Sequence, residues 1–214
     1  MAMQTETIDI TSPSGVTISH TLTRPQPDST RLMIMLPGRA YTCDFPVLYY
    51  VRNVGHELGF DVLSLRYNPE YMANGVDVND DPQAIIGDIL EALQEVHVGR
   101  YKQVCIVAKS FGTLLWTSLM SAILQKEVGL ILLTPLPPGL QMFESMTALA
   151  IIGTQDPVYS PELERSAAKV GIKMQVLEML DHGLEVPGEW KSSVAALEIV
   201  ARTCEGFLQT TFAS

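Results

Sequence analysis

The chain has 214 residues, 47% of them hydrophobic, and a formal charge of −10 from 24 acidic and 14 basic side chains. That much apolar material supports one large core, expected as a single domain over residues 1–214, and the acidic balance weighs against nucleic acid as the main partner, because a phosphate backbone calls for a basic face. The three cysteines, Cys43, Cys105 and Cys204, are odd in number and form no CxxC pair, which argues against a disulfide framework or a zinc site and leaves them as free thiols.

The first segment, MAMQTETIDITSPSG, is polar and has neither a basic leader nor an apolar h-region, and no later apolar run approaches the length of a membrane span. A cytoplasmic protein without membrane insertion is the expectation. TETIDI and VTISHTLTR flank TSPSG, whose serine, proline and glycine suit a turn, so residues 5–24 read as two antiparallel strands. Six short apolar runs follow: RLMIML ending at Pro37-Gly38, DVLSLRY ending at Asn68-Pro69, QVCIVAK, VGLILLT ending at Pro135, TALAIIG ending near Asp156-Pro157, and KMQVLEML ending at Asp181-His182. Their continuity is that of central strands covered on both faces.

Between them lie segments whose apolar residues recur at three and four: FPVLYYVRNVGHEL, PQAIIGDILEALQEV, FGTLLWTSLMSAIL, SPELERSAAKV and GEWKSSVAALEIVARTCEGFL. The alternation predicts an α/β fold with a mainly parallel central sheet, helices on both faces and an N-terminal antiparallel hairpin. Asn68 to Asp81, NPEYMANGVDVNDD, is the longest stretch without periodicity and reads as a surface loop carrying Glu70, Asp77, Asp80 and Asp81. No internal repeat or low-complexity segment is present.

In such a sheet, functional residues gather at the carboxyl ends of the strands. Ser110 stands at one of them, in AKSFG, between a predicted strand and a predicted helix. A sharp strand-to-helix turn would leave its hydroxyl exposed at the apex, and the small residues Ala108 and Gly112 would let strand and helix approach closely. The N–H of Phe111, at the helix N-terminus, is then a candidate donor to a developing oxyanion. A serine nucleophile needs a base. Of the four histidines, His20 falls in the hairpin, His56 inside the first helix and His97 near the end of the second, whereas His182 follows the last strand. An acid must orient that imidazole. Asp156, just past the preceding strand, gives the chain order Ser, Asp, His; Asp181 is the rival, although side chains adjacent in sequence usually diverge.

In topology and in four local motifs, LPGRA, AKSFG, GTQDP and DHGLE, the chain resembles a small, lidless member of the α/β-hydrolase superfamily over nearly its whole length. Alanine replaces the first glycine of the usual elbow, as in some similar lipases, and Pro37-Gly38 stands where His-Gly is usual. The resemblance implies Ser110 as nucleophile, Asp156 as acid and His182 as base, with a second oxyanion N–H from Arg39 or, failing that, Ala40. It implies no cofactor and no metal.

The Arg39 guanidinium is also a candidate grip on a substrate carboxylate or phosphate, unless it pairs with Asp44 or points into water. PLPPGLQMFESM, between Thr134 and Thr147, is too short for a helical cap, so the site is expected to be open, with Met142, Phe143 and Met146 as candidates for an apolar acyl pocket. The reading is a serine hydrolase acting on a small-molecule carboxylic ester or thioester through an acyl-enzyme. Open alternatives are a peptidase or lactonase with the same triad, and a non-catalytic binding protein on the same fold.

Overall fold

The computed structural model describes residues 3–69, 83–123, 125–144 and 146–213. Among them eight strands form one sheet: β1 (Gln4–Thr11), β2 (Thr17–Arg24), β3 (Arg31–Leu36), β4 (Asp61–Ser64), β5 (Gln103–Lys109), β6 (Glu127–Leu133), β7 (Thr147–Gly153) and β8 (Lys173–Leu177). Their order is β1-β2-β4-β3-β5-β6-β7-β8. β1 and β2 form the expected antiparallel hairpin, β2 joins β4 antiparallel, and every pairing from β4 to β8 is parallel. The helices are α1 (Pro46–Glu57), α2 (Gln83–Glu95), the single turn α3 (Met120–Ile123), α4 (Pro161–Lys169) and α5 (Trp190–Thr211).

The unbroken apolar runs have a direct structural use. Successive strand side chains point to opposite faces, so Leu32, Ile34 and Leu36 of β3 enter one core with α2, while Met33 and Met35 enter the other with α1 and α5. β5 divides in the same way, Val104, Ile106 and Ala108 against Cys105 and Val107. All three cysteines are buried and free.

Three predicted elements differ. β4 stops at Ser64 instead of Tyr67 because the Arg66 N–H leaves the ladder and donates to His20 Nδ1 at 3.1 Å. β8 stops at Leu177: Met179 turns into the left-handed region, φ 64°, with its N–H on Thr154 Oγ1. The helix expected over 111–124 is instead two 3₁₀ turns, Ser110–Leu114 and Trp116–Leu119, followed by α3. Thr113 Oγ1 donates to the Ser110 carbonyl at 2.6 Å and accepts from Leu136 N–H, a side-chain alternative to the α-helical bond from residue 114. Of the predicted loop 68–81, Glu70, Asp77, Asp80 and Asp81 lie outside the described residues. No described helix is long and apolar enough to cross a membrane.

His20 is fully buried on β2, and burial, then the nearby Arg66, push its imidazole down to about 4. His56, bonded to Thr23 Oγ1, is pushed down to about 4 by burial and Arg52. Between pH 6.5 and 4 the native state therefore holds fewer protons at these rings than the unfolded chain, and stability present above 6.5 is lost as pH falls through that window. Asp88, raised to about 6 by burial and Glu91, works in the opposite sense as pH falls below about 6. The clean measurement is a difference: in urea unfolding at pH 7 and pH 4, wild type should lose roughly 3 kcal/mol more than His20→Asn. Equal losses would mean that His20 is not the group responsible.

Candidate active site

β5 delivers Ser110 to the carboxyl edge of the sheet. Lys109 is still extended, φ −116°, whereas Ser110 has φ 49°, a left-handed conformation that a non-glycine residue rarely adopts. The turn is tight because two backbones cross just beyond it. A Cβ built on Gly112 would lie 2.3 Å from the Leu36 carbonyl oxygen and 2.8 Å from that of Pro37. Gly38 packs above, its hypothetical Cβ 3.6 Å from the Ser110 Cβ.

Two further strand ends bring the expected partners together. Asp156 follows β7 and is buried; His182 lies in the β8–α5 loop with its side chain 39% exposed. His182 Nδ1 is 2.8 Å from Asp156 Oδ2, and its Nε2 is 2.8 Å from Ser110 Oγ. A carboxylate at Nδ1 selects the tautomer protonated there, which leaves the Nε2 lone pair facing the serine hydroxyl. The other Asp156 oxygen accepts the Val158 N–H at 2.9 Å. Asp181 does something else. Its Oδ1 accepts the Gly183 and Glu185 N–H groups at 2.7 and 3.2 Å, and its own N–H donates to Glu185 O, so it closes the turn that carries His182.

Arg39 and Ala40 occupy the exposed tip of a loop closed by the Gly38 N–H on Tyr41 O at 3.0 Å. The Tyr67 hydroxyl ties down Pro37 O at 2.9 Å, and the Phe111 ring stands edge-on to Tyr67. Asp44 is engaged by Arg52 and Arg66, not by Arg39, whose side chain has no partner among the described residues. A cavity of about 320 Å³ opens here, lined by Gly38, Arg39, Tyr41, Lys109, Ser110 and His182 among others. Met142 and Phe143 do not line it: Met142 packs against the core that contains α2, and Phe143 stands edge-on to Trp116. Met146 packs against the same core. A larger apolar groove of about 630 Å³, with Tyr50, Leu184 and Trp190 in its wall, shares no lining residue with this cavity.

Sequence reasoning passed over Lys109. It ends an otherwise apolar strand, is 1% exposed, and directs its ammonium to Thr134 Oγ1 at 2.9 Å and His182 O at 2.7 Å, 4.6 Å from the centre of the Tyr41 ring. The signal available was a lysine where every neighbour in VCIVA is apolar.

No established family matches the chain by sequence, and no curated protein does. Solved structures match in shape. Est1E from Butyrivibrio proteoclasticus superposes with a TM-score of 0.74 at 13% identity over 97% of this chain and 99% of its own, and has also been solved with ferulic acid bound. A serine hydrolase without a lid from Xanthomonas campestris gives 0.68 at 16% identity, over 97% and 94%. An esterase from Pyrococcus furiosus gives 0.67 at 15%, over 97% and 93%. The chain has the α/β-hydrolase fold.

The crossing at Gly112 sets a testable demand. Gly112→Ala should lower stability by at least about 3 kcal/mol, since backbone and not a flexible side chain stands in the way. Gly206→Ala, where an added Cβ meets nothing within 4 Å on α5, should be neutral or stabilise by up to about 1 kcal/mol. Thermal midpoints of the two variants test this; similar values would refute it.

Proposed function

We propose that the protein is a serine hydrolase that cleaves small to medium carboxylic esters or thioesters through an acyl-enzyme. The observation that carries this reading is the continuous relay from Ser110 Oγ through both nitrogens of His182 to the buried carboxylate of Asp156, with 2.8 Å at each step. Its placement at the carboxyl ends of β5, β7 and β8 supports the same reading.

In this mechanism Ser110 Oγ attacks the substrate carbonyl carbon while His182 Nε2 takes the hydroxyl proton. Asp156 holds the imidazole in place and stabilises the imidazolium. The carbonyl oxygen, now negative, is met by the backbone N–H groups of Phe111 and Arg39, donors whose worth lies in being fixed before the charge develops. Collapse expels the alcohol or thiol, which receives the proton from His182. Water, deprotonated by the same nitrogen, then attacks the acyl carbon, and release of the acid returns the proton to Ser110.

What surrounds the serine supports a narrower substrate class. In a chain of net charge −10, the cavity nevertheless presents an exposed arginine without a partner among the described residues. Arg39 suits an acidic ester, its guanidinium gripping a carboxylate on the substrate. Est1E binds a carboxylic acid, the product class that ester hydrolysis releases.

A fluorophosphonate should label the native protein once per chain, at Ser110, and Ser110→Ala should abolish labelling. Asp156→Asn should leave folding intact and lower kcat for a p-nitrophenyl ester by about ten-thousand-fold. Should Asp181→Asn carry that loss instead, the acid is misassigned. Arg39→Ala separates side chain from backbone, because it keeps the N–H: KM for acidic esters should rise roughly ten- to a hundred-fold with neutral esters nearly unaffected. Equal effects on both ester classes would remove the anchor.

A further inference from the structure

Lys109 is an expensive residue to keep. Its side chain shares the sheet face of Cys105 and Val107, whose core would accept leucine or methionine at the same position. Desolvation outweighs the favourable fields of Asp156, Asp181 and Glu185 and pushes its ammonium down to about 8. Replacing a buried charge by a packed apolar side chain is often neutral or stabilising, so stability alone does not explain a lysine here.

Its contacts connect otherwise separate pieces of the site. Lys109 ends β5 and immediately precedes Ser110. Its Nζ donates to Thr134 Oγ1 at the end of β6 and to the backbone carbonyl of His182, and it faces the Tyr41 ring of the loop that bears Arg39. Ser110, Thr134 and Leu184, three of the left-handed non-glycine residues at this edge, sit at φ 49°, 48° and 62°. Such conformations persist only where the surroundings hold them, and the ammonium bonds one of the three directly and the loop of another. The His182 ring reaches both its neighbours only if its Cα stays put. No described hydrogen bond other than that from Lys109 ends on the His182 carbonyl.

We propose that Lys109 is a positioning residue for the hydrolysis assigned above, its buried ammonium fixing the His182 backbone so that the imidazole spans Ser110 and Asp156. This rests on the serine-hydrolase reading, in which a shift of about 1 Å in a reacting group costs on the order of a hundredfold in rate. Lys109 touches no reacting atom. It acts through the backbone of the base.

The test uses Lys109→Met, which fills the space without a donor, and Lys109→Gln, which restores an N–H donor without the charge. With p-nitrophenyl acetate, Lys109→Met should lower kcat about a hundredfold with KM within twofold, and should slow inactivation by a fluorophosphonate by a similar factor. Lys109→Gln should recover about tenfold of that loss. The low-field NMR resonance of the His182 Nδ1 proton, assigned by its disappearance in Asp156→Asn, should be sharp in wild type and broadened in Lys109→Met. Wild-type kcat and a sharp resonance in Lys109→Met would overturn the proposal, as would equal loss in both variants accompanied by a raised KM. If Lys109→Met does not fold, the resonance and the kcat–KM split of Lys109→Gln decide by the same criteria. A wild type that neither turns over esters nor reacts with fluorophosphonate would sink the hydrolase reading instead, and the resonance would still judge Lys109.

Discussion

One carbonyl oxygen governs the carboxyl edge of this sheet. Leu36 O occupies the space that a β-carbon at position 112 would need, so the chain leaving β5 crosses the end of β3 at the closest approach two backbones tolerate. That crossing follows from the register that sets Leu36 against Ala108. A larger residue at 108 or 112 would lift the segment after β5 off the sheet, and Ser110 would relax out of its left-handed conformation. The serine hydroxyl is therefore presented by steric necessity of the strands below it.

The two edges of the sheet handle buried charge differently. At the amino edge, Asp61 opens β4 with no exposed side-chain surface and accepts from Tyr101 Oη and Arg100, both at 2.8 Å, with Arg24 at 3.6 Å. There two cations and a phenol surround one carboxylate, an arrangement that holds strands in place. At the carboxyl edge, Asp156 faces an imidazole and Lys109 faces a carbonyl and a hydroxyl. No cation bonds Asp156 among the described residues, and so its charge remains directed at His182. An arginine in the place of Lys109 would compete for that carboxylate with a bidentate fork. The ammonium binds neutral acceptors and leaves the relay intact.

The fold was legible because a doubly covered parallel sheet writes itself as unbroken apolar runs, and RLMIML, QVCIVAK and TALAIIG are such runs. Ser110 could be singled out because it directly follows one, and Asp156 and His182 because they stand in the loops just past the last two predicted strands. What failed was local. The segment after Ser110 has helical spacing, but Thr113 satisfies the Ser110 carbonyl with its own hydroxyl, and a competition between side chain and backbone leaves no mark on periodicity. Arg66 spends its N–H on His20, a long-range contact 46 residues away. Met142 and Phe143 were apolar residues near a strand end, and nothing in their spacing distinguishes a pocket wall from the core they pack against.

Lys109 shows why such sites are underread. Sequence reasoning looks for groups whose chemistry the reaction consumes, and a lysine before the serine has no step to perform. Its importance lies in where its length ends: four methylenes carry the ammonium out of an apolar strand face to the point where the β6 terminus and the histidine loop converge. Placing that charge by burial lets one side chain take both directions at once, toward Thr134 in the sheet and toward the loop above it. On the proposed reading, the geometry of the Ser110–His182–Asp156 relay then depends on a rigid internal tether, while the tip bearing Arg39 stays exposed.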